Sequence, residues 1–366
     1  MIGSRATNTI KILGAGSIGN HLAHAARSLG WRVLLCDVDE AALERTRSQI
    51  YPGRYGAWDE AIELHPAACA PAGSCDLIAI GTPPDSHVEL ALQALDEKPR
   101  AILVEKPLCT PAMTGLEELR TRAERMSLPI FVGYDHVVGE AVSFARAKAQ
   151  ALGEVETLDV EFREHWGGIF SAHPWLKGPG DSYLGYWRRG GGASGEHSHA
   201  IHLWQHLAHT LAAGRVCEVT ATLDYVTSGE AEYDRLCLLD LKTESGLVGR
   251  VVQDVVTFPP RKWARIQGRD GFVELSIGAS DAVAWGSRNG PAESRSFQKT
   301  RPDDFIRELG YIQRVLEGEA PDGWIDLARG IEAMRVVAAA HRSAREGRRI
   351  QIDPDASGFP EALPSV

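Results

Sequence analysis

A chain of 366 residues, 44% hydrophobic and 24% charged, has an ordinary globular composition and is too long for a single core. Its net charge of −10 excludes a general nucleic-acid surface, but not an anionic substrate held by a few local arginines. The six cysteines (Cys36, Cys69, Cys75, Cys109, Cys217, Cys237) form no C-x-x-C pair, and several fall inside apolar runs. They read as free thiols in a reducing compartment, not as a disulfide framework or a zinc site. There is neither a membrane-length apolar run nor a signal-peptide core, so the expected location is cytoplasmic, with no membrane partner.

The N-terminal third alternates between strands and helices. A β-branched run from Thr9 to Leu13 ends in Gly14-Ala15-Gly16-Ser17-Ile18-Gly19, and the spacing predicts a helix over 20–29. Gly14 suits a tight strand-to-helix turn, Gly16 the approach of backbone to a pyrophosphate, and Gly19 close helix–strand packing. A second strand, 31–36, ends at Asp37, about 20 residues after the glycines, where a carboxylate accepts hydrogen bonds from ribose hydroxyls and repels a 2′-phosphate. The alternative is a solvated turn aspartate in a domain that binds no nucleotide. A helix is expected over 39–49, a glycine-bearing connection over 51–58 and another helical turn or two over 59–64. Strands follow at 75–80, 101–104 and 129–134, with helices at 87–95 and 116–126. Alternation of this kind gives a doubly wound parallel (Rossmann) sheet with ligands at its carboxyl edge.

Beyond about residue 135 the pattern changes. After a helix at 141–152, strands dominate: 155–163, 217–226, 235–242, 247–256, 264–267, 271–276 and 282–285. Short turns between them predict a large, mostly antiparallel sheet with one open face, in a C-terminal α+β domain. Helices at 200–212, 303–317 and 327–346 interrupt and close it. The expected division is a nucleotide-binding domain at 1–135, a substrate-binding and oligomerisation domain at 136–352, and a loosely held tail at 353–366.

Two places carry candidate chemistry. Lys106 directly follows the strand 101–104 at the cofactor edge, between Glu105 and Pro107, whose ring restrains the lysine backbone. The second is Gly190-Gly191-Gly192-Ala193-Ser194-Gly195-Glu196-His197-Ser198-His199-Ala200-Ile201-His202. If a helix begins near Ser194, Glu196 and His199 lie one turn apart on a shared face, with His197 pointing elsewhere. A neutral imidazole beside a carboxylate is a competent general base. The alternatives are a metal site, which the spacing disfavours, and a polar helix start with histidines packed at an interface. No metal is expected.

These motifs, with Thr82-Pro83-Pro84-Asp85-Ser86-His87, Glu105-Lys106-Pro107-Leu108 and Arg342-Ser343-Ala344-Arg345-Glu346-Gly347-Arg348, resemble the Gfo/Idh/MocA oxidoreductases, the group of glucose–fructose oxidoreductase and inositol dehydrogenase. The resemblance spans nearly the whole chain. It implies that Lys106 is the catalytic lysine, with Glu196 and His199 as its partners. The family pattern has a histidine four residues after the acid. Here Ala200 occupies that place and His199 stands at plus three, so His202 and His197 remain alternatives for the base. For NAD the resemblance implies contacts from Gly14, Gly16, Ser17, Ile18, Gly19 and Asp37, and from Thr82, Pro83, His87, Glu105 and Lys106. The segment Gly133-Tyr134-Asp135-His136-Val137 departs from relatives that carry arginine or asparagine there, so substrate contacts at this segment are expected to differ.

The implied substrate is a sugar, cyclitol or nucleotide-linked sugar. Candidate contacts are Lys106, Tyr134, Trp166, Tyr183, Trp187, Arg188, His199 and His202, the aromatic residues as platforms for sugar rings. The implied activity is NAD-dependent oxidation of a secondary hydroxyl or reduction of the ketone. The alternatives are a redox-neutral, NAD-retaining glycosidase or epimerase, and a non-catalytic NAD-binding regulator. By analogy with the family, the chain is expected to form a homodimer or homotetramer.

Overall fold

A computed structural model describes residues 7–73, 75–171, 173, 175–354 and 356. The first sheet comprises β1 (Thr9–Leu13), β2 (Arg32–Asp37), β3 (Ile62–Pro66), β4 (Leu77–Ile80), β5 (Ala101–Val104) and β6 (Ile130–Val132). All are parallel, in the order β3-β2-β1-β4-β5-β6. Its helices are α1 (Ser17–Ser28), α2 (Glu40–Arg45), α3 (Tyr51–Tyr55), α4 (His87–Asp96) and α5 (Leu116–Met126). Strands β4 and β5 are buried along their whole length, as a sheet covered on both faces requires.

Two local expectations fail here. Residues 51–58 are not a simple connection, because a π-helical turn over Thr46–Ile50 carries α2 into α3. The segment 59–64, expected to be helical, contributes strand β3. Ile62 and Leu64 register against Val33 and Leu35 of β2, and pairing to an existing edge outweighs a weak helical preference.

The C-terminal part contains α6 (Glu140–Ala149), β7 (Val155–Arg163), α7 (Trp166–Ser171), α8 (Gly192–Glu196), α9 (Ser198–Thr210), β8 (Val216–Ser228), β9 (Ala231–Thr243) and β10 (Val248–Asp254). It continues through β11 (Arg261–Gly268), β12 (Gly271–Ile277), β13 (Ser280–Ser287), β14 (Ala292–Gln298), α10 (Asp303–Leu316), α11 (Leu327–Glu346) and β15 (Ile350–Gln351). The nine strands run β14-β13-β12-β11-β7-β10-β9-β8-β15, antiparallel except where β7 meets β10. Strand β14 was not legible in the sequence because its side chains, Ala292 to Gln298, are almost all polar and exposed. Leu158, Val160 and Phe162 of β7 face inward, and the Trp204 indole of α9 donates to the Leu158 carbonyl at 2.8 Å. The opposite face of the sheet is open, with Leu238 and Val248 exposed.

Of the tail expected over 353–366, residues 355 and 357–366 lie outside the described residues. Arg335 holds the carbonyls of Pro354 and Ala356 at 2.9 and 2.7 Å. No helix among the described residues is long and apolar enough to cross a membrane.

Short helix α8 is held from the sheet. Asp234 of β9 is fully buried and accepts from the Ser194 amide at 2.7 Å and its hydroxyl at 3.1 Å, so a carboxylate meets the free N–H groups of the helix start. Gly192, the first residue of α8, has φ +77°, and a Cβ there would stand 2.0 Å from Asp234 Oδ1. Gly192→Ala is therefore expected to destabilise the protein by about 1–3 kcal/mol, read from the urea unfolding midpoint; an unmoved midpoint contradicts this anchoring.

Candidate active site

A cleft of about 680 Å³ runs from the glycine loop to the inner face of the large sheet. At the nucleotide end, the Gly14 and Gly19 backbones touch: a Cβ on Gly19 would lie 1.9 Å from the Gly14 carbonyl. Space above Gly16 is open, and Gly16, Ser17 and Ile18 line the cleft at the start of α1. Arg54 of α3, not foreseen from the sequence, donates to the Ser17 carbonyl and hydroxyl, both at 2.8 Å. An open glycine, a helix N-terminus and a nearby guanidinium together fit a pyrophosphate. Asp37 ends β2 beside this loop and accepts from the amides of Ala15 (2.7 Å) and Asp39 (2.8 Å), which fixes the position of its carboxylate.

Thr82, Pro83, Glu105 and Lys106 also line the cleft. His87 does not. It is fully buried, with ring nitrogens 2.9 Å from the Pro107 carbonyl and 2.7 Å from the Thr82 carbonyl, so it braces the two loops from behind. Glu105 is buried against Gly133, and burial with the adjacent Asp135 charge raises its pKa above the carboxylate range.

Lys106 reaches across to the second sheet. Its Nζ donates to the Glu196 carbonyl at 2.9 Å and stands 3.3 Å from Glu196 Oε2, with both side chains largely buried. Burial raises the pKa of Glu196, but the Lys106 ammonium together with His197 and His173 brings the group below its ordinary value.

The continuous helix expected through Glu196 and His199 is not present. The helix ends at Glu196, His197 adopts φ −97° and ψ 24°, and α9 starts at Ser198. The Gln253 side chain secures the break by donating to the His197 carbonyl. Glu196 therefore meets Lys106, while His199 turns to two residues of the 133–137 segment, Asp135 and His136, to which the sequence assigns no role of their own. Its Nδ1 stands 3.9 Å from Asp135 Oδ1, which is 3.0 Å from His136 Nδ1, and the two imidazoles stack with centroids 4.4 Å apart. Asp135 and His136 follow β6 after two intervening residues at the carboxyl edge of the parallel sheet, and that place, with the departure of the 133–137 segment from relatives, is the sequence signal that marked them. Burial, reinforced by His136, keeps the His199 pKa well below that of ordinary imidazole, and burial puts His197 at about 4.

Of the candidate substrate contacts, Lys106, Tyr183 and His199 line the cleft. Tyr134, Trp166, Trp187, Arg188 and His202 do not. Tyr134 is fully buried and stacks on His202, whose Nε2 lies 3.0 Å from the Trp324 carbonyl. Trp166 packs on Phe170 and Tyr233, and Trp187 stacks on His341. Arg188 pairs with Glu232. These aromatic side chains fill core space because their large apolar area is worth more buried than exposed. Trp175, His173 and Leu176 line the outer mouth instead. A larger hollow of about 860 Å³ between α5 and α11 contains none of the chemistry-bearing groups.

Residues 9–134 match the profile of an oxidoreductase family with an NAD-binding Rossmann fold, Gfo/Idh/MocA. No curated protein sequence matches the chain. Among solved structures, the chain is similar to an oxidoreductase from Agrobacterium radiobacter in complex with NAD+, L-tartaric acid and magnesium. The two are 20% identical, with TM-score 0.73 and coverage of 94% of this chain and 98% of that one. A levoglucosan dehydrogenase in complex with NADH and L-sorbose is 16% identical, with TM-score 0.74 and coverage of 95% and 100%. A dehydrogenase from Bordetella pertussis in complex with NADH and UDP-GlcNAcA is 18% identical, with TM-score 0.69 and coverage of 95% and 99%.

The fixed Asp37 carboxylate is expected to favour NAD over NADP by at least about tenfold, roughly 1.4 kcal/mol. Tryptophan-fluorescence titration with each cofactor checks this, and Asp37→Ser is expected to narrow the difference. Equal affinity of the unaltered protein for both cofactors contradicts it.

Proposed function

We propose, from the match of residues 9–134 to the profile of the Gfo/Idh/MocA oxidoreductases with their NAD-binding Rossmann fold, that the protein is an NAD-dependent dehydrogenase or reductase. It acts on a secondary hydroxyl or ketone of a sugar, cyclitol or nucleotide-linked sugar. The observation that carries this reading is the Lys106 ammonium at the end of β5, held by Glu196 in the cleft that begins at the glycine loop. The known ligands of similar folds, L-sorbose and UDP-GlcNAcA among them, support a polyhydroxylated substrate. Self-association as a homodimer or homotetramer is assigned to the open sheet face around Leu238 and Val248.

Gly16, Ser17, Ile18 and Asp37 hold the dinucleotide, with Thr82 and Pro83 along its path. When bound, its nicotinamide accepts or supplies the hydride. Lys106 donates a hydrogen bond to the reacting oxygen and stabilises the negative charge that develops there as the hydroxyl proton leaves in oxidation, or as hydride adds to the carbonyl carbon in reduction. Glu196 keeps the ammonium aimed. In the oxidation direction the hydroxyl proton passes to His199, whose buried Nδ1 leaves Nε2 on the cleft side.

Burial favours neutral imidazole, so His199 is ready to accept a proton at neutral pH. The expected alcohol-oxidation profile rises with pH through a limb below about 6.5 and is flat across neutrality, whereas ketone reduction gains as pH falls through the same limb. Initial rates in both directions check the sign. An oxidation limb centred above the ordinary imidazole value argues against His199 as the acceptor.

Lys106→Met keeps the aliphatic stem and removes the charge. Single-turnover NADH formation is expected to fall about 10²–10⁴-fold with NAD affinity little changed. The substrate is first found by screening sugars, inositols and nucleotide sugars at the NADH absorbance, and near-normal turnover in this variant ends the dehydrogenase reading. In parallel, His199→Asn is expected to lose about 10²-fold in turnover, whereas His202→Asn loses thermal stability because its ring is packed between Tyr134 and Trp324. The reverse ranking would move the base to His202.

A further inference from the structure

The break at His197 leaves the proposed base without the carboxylate that a continuous helix would have placed beside it. Another carboxylate faces it from the opposite sheet. Asp135 is 5% exposed, and its Oδ1 lies 3.0 Å from His136 Nδ1 and 3.9 Å from His199 Nδ1. All three atoms are buried, and beyond the close approach of Asp135 to His136 none is paired with another described residue. A buried polar atom left unpaired costs about 1–3 kcal/mol, so three that face one another are a strong constraint on where protons sit. One arrangement satisfies all of them: both rings carry hydrogen at Nδ1 and donate to the same carboxylate oxygen, which has lone pairs for two donors.

We propose that Asp135 is the positioning residue for His199, holding its Nδ1–H so that a bare Nε2 faces the reacting hydroxyl, while His136 fills the second lone pair and stacks against the ring. The proposal rests on the dehydrogenase reading and deepens it. The carboxylate comes from the end of β6 in the nucleotide-binding sheet and the imidazole from α9 on the other sheet. The base is thus oriented only when the two halves of the cleft are in register. The 3.9 Å separation lies beyond hydrogen-bond reach by an amount that ligand-bound sites commonly close.

The charges around the pair set the direction of its pH response. His199 is lowered by burial, then by His136, Lys106 and Lys262, and raised by Asp135. Asp135 is raised by burial and brought below its ordinary value by His136, His199 and Arg301. Glu105, Asp304 and Glu308 are the further carboxylates that feel its charge. The same three atoms lie within 4.8 Å of one another and could in principle ligate a metal ion. The ammonium groups of Lys106 and Lys262 and the guanidinium of Arg301 oppose a divalent cation there, and face-to-face rings suit two neutral imidazoles on one oxygen.

The test compares the unaltered enzyme, Asp135→Asn and Asp135→Glu across about pH 5 to 9, after NAD titration of each. Asp135→Asn removes the charge that raises the His199 pKa, so the oxidation limb moves to lower pH. Its kcat falls about 10²-fold with the substrate KM within about threefold, and Asp135→Glu recovers at least about tenfold of the loss. An unchanged kcat and profile in Asp135→Asn overturns the proposal, as does a loss of kcat with the limb unmoved, which marks simple packing. Stoichiometric zinc in the purified protein, measured by inductively coupled plasma mass spectrometry, overturns it in favour of a metal site. Should Asp135→Asn fail to bind NAD, Asp135→Glu decides alone: a limb and kcat within about twofold of the unaltered enzyme uphold a carboxylate requirement, and loss of kcat overturns it. Lys106→Met separates the two claims, since a dead Lys106→Met beside a normal Asp135→Asn retains the dehydrogenase and discards the Asp135 role.

Discussion

The contact between Lys106 and Glu196 joins the carboxyl edge of one sheet to the helix that starts on the other, and the cleft exists in its present form because of it. The ammonium meets both the side chain and the terminal carbonyl of α8, where the helix dipole is negative. A largely buried ion pair returns little net stability, because desolvation consumes most of the Coulomb gain. Its value here is geometric. Removing either partner leaves a charge stranded beside the cofactor edge, and keeping both fixes the distance between two halves of the molecule, a tie that the Arg189–Asp85 pair reinforces.

Everything behind the pair is arranged to keep it still. His87 ties the Thr82 and Pro107 loops together from below. Asp234 anchors the start of α8 through Ser194, whose hydroxyl also meets His341, and His341 in turn meets the Tyr225 hydroxyl. This chain of buried polar groups links β8, β9, α8 and α11. Burial raises Asp234 to about 7, the cost of setting a carboxylate in the core to hold a helix only five residues long. Such a helix has little stability of its own, so tertiary anchoring decides its position.

The cleft also concentrates acids. Glu105 and the fully buried Glu308 of α10 are both pushed upward, chiefly by burial, whereas Asp135 is held down by its histidine neighbours. Carboxylates a few residues apart in space thus occupy different protonation states because of what surrounds each one. The acids brought below their ordinary values, Glu196 and Asp135, are the two that address Lys106 and His199.

The sequence by itself determined the parts whose physics is local. Glycines at fixed spacing after Thr9–Leu13, the acid at the end of the next strand, and the Glu105-Lys106-Pro107 segment after Ala101–Val104 each encode a turn, a charge or a restrained backbone within a few residues. The alternation of strand and helix followed by a run of strands likewise gave both sheets. What depends on contacts between distant segments was not legible. β3 became a strand because β2 offered it an edge, and β14 because β13 did, despite polar side chains. The helix through Glu196 and His199 broke at His197, where a glutamine from β10 takes its carbonyl, and that break sends one group to Lys106 and the other to Asp135. Trp166, Trp187 and His202 look from the sequence like substrate contacts, yet long-range packing draws them into the core. Periodicity and motif spacing record what neighbours along the chain do to one another. The orientation of a side chain in a cleft between two sheets is set by residues a hundred positions away, and only the folded chain brings them together.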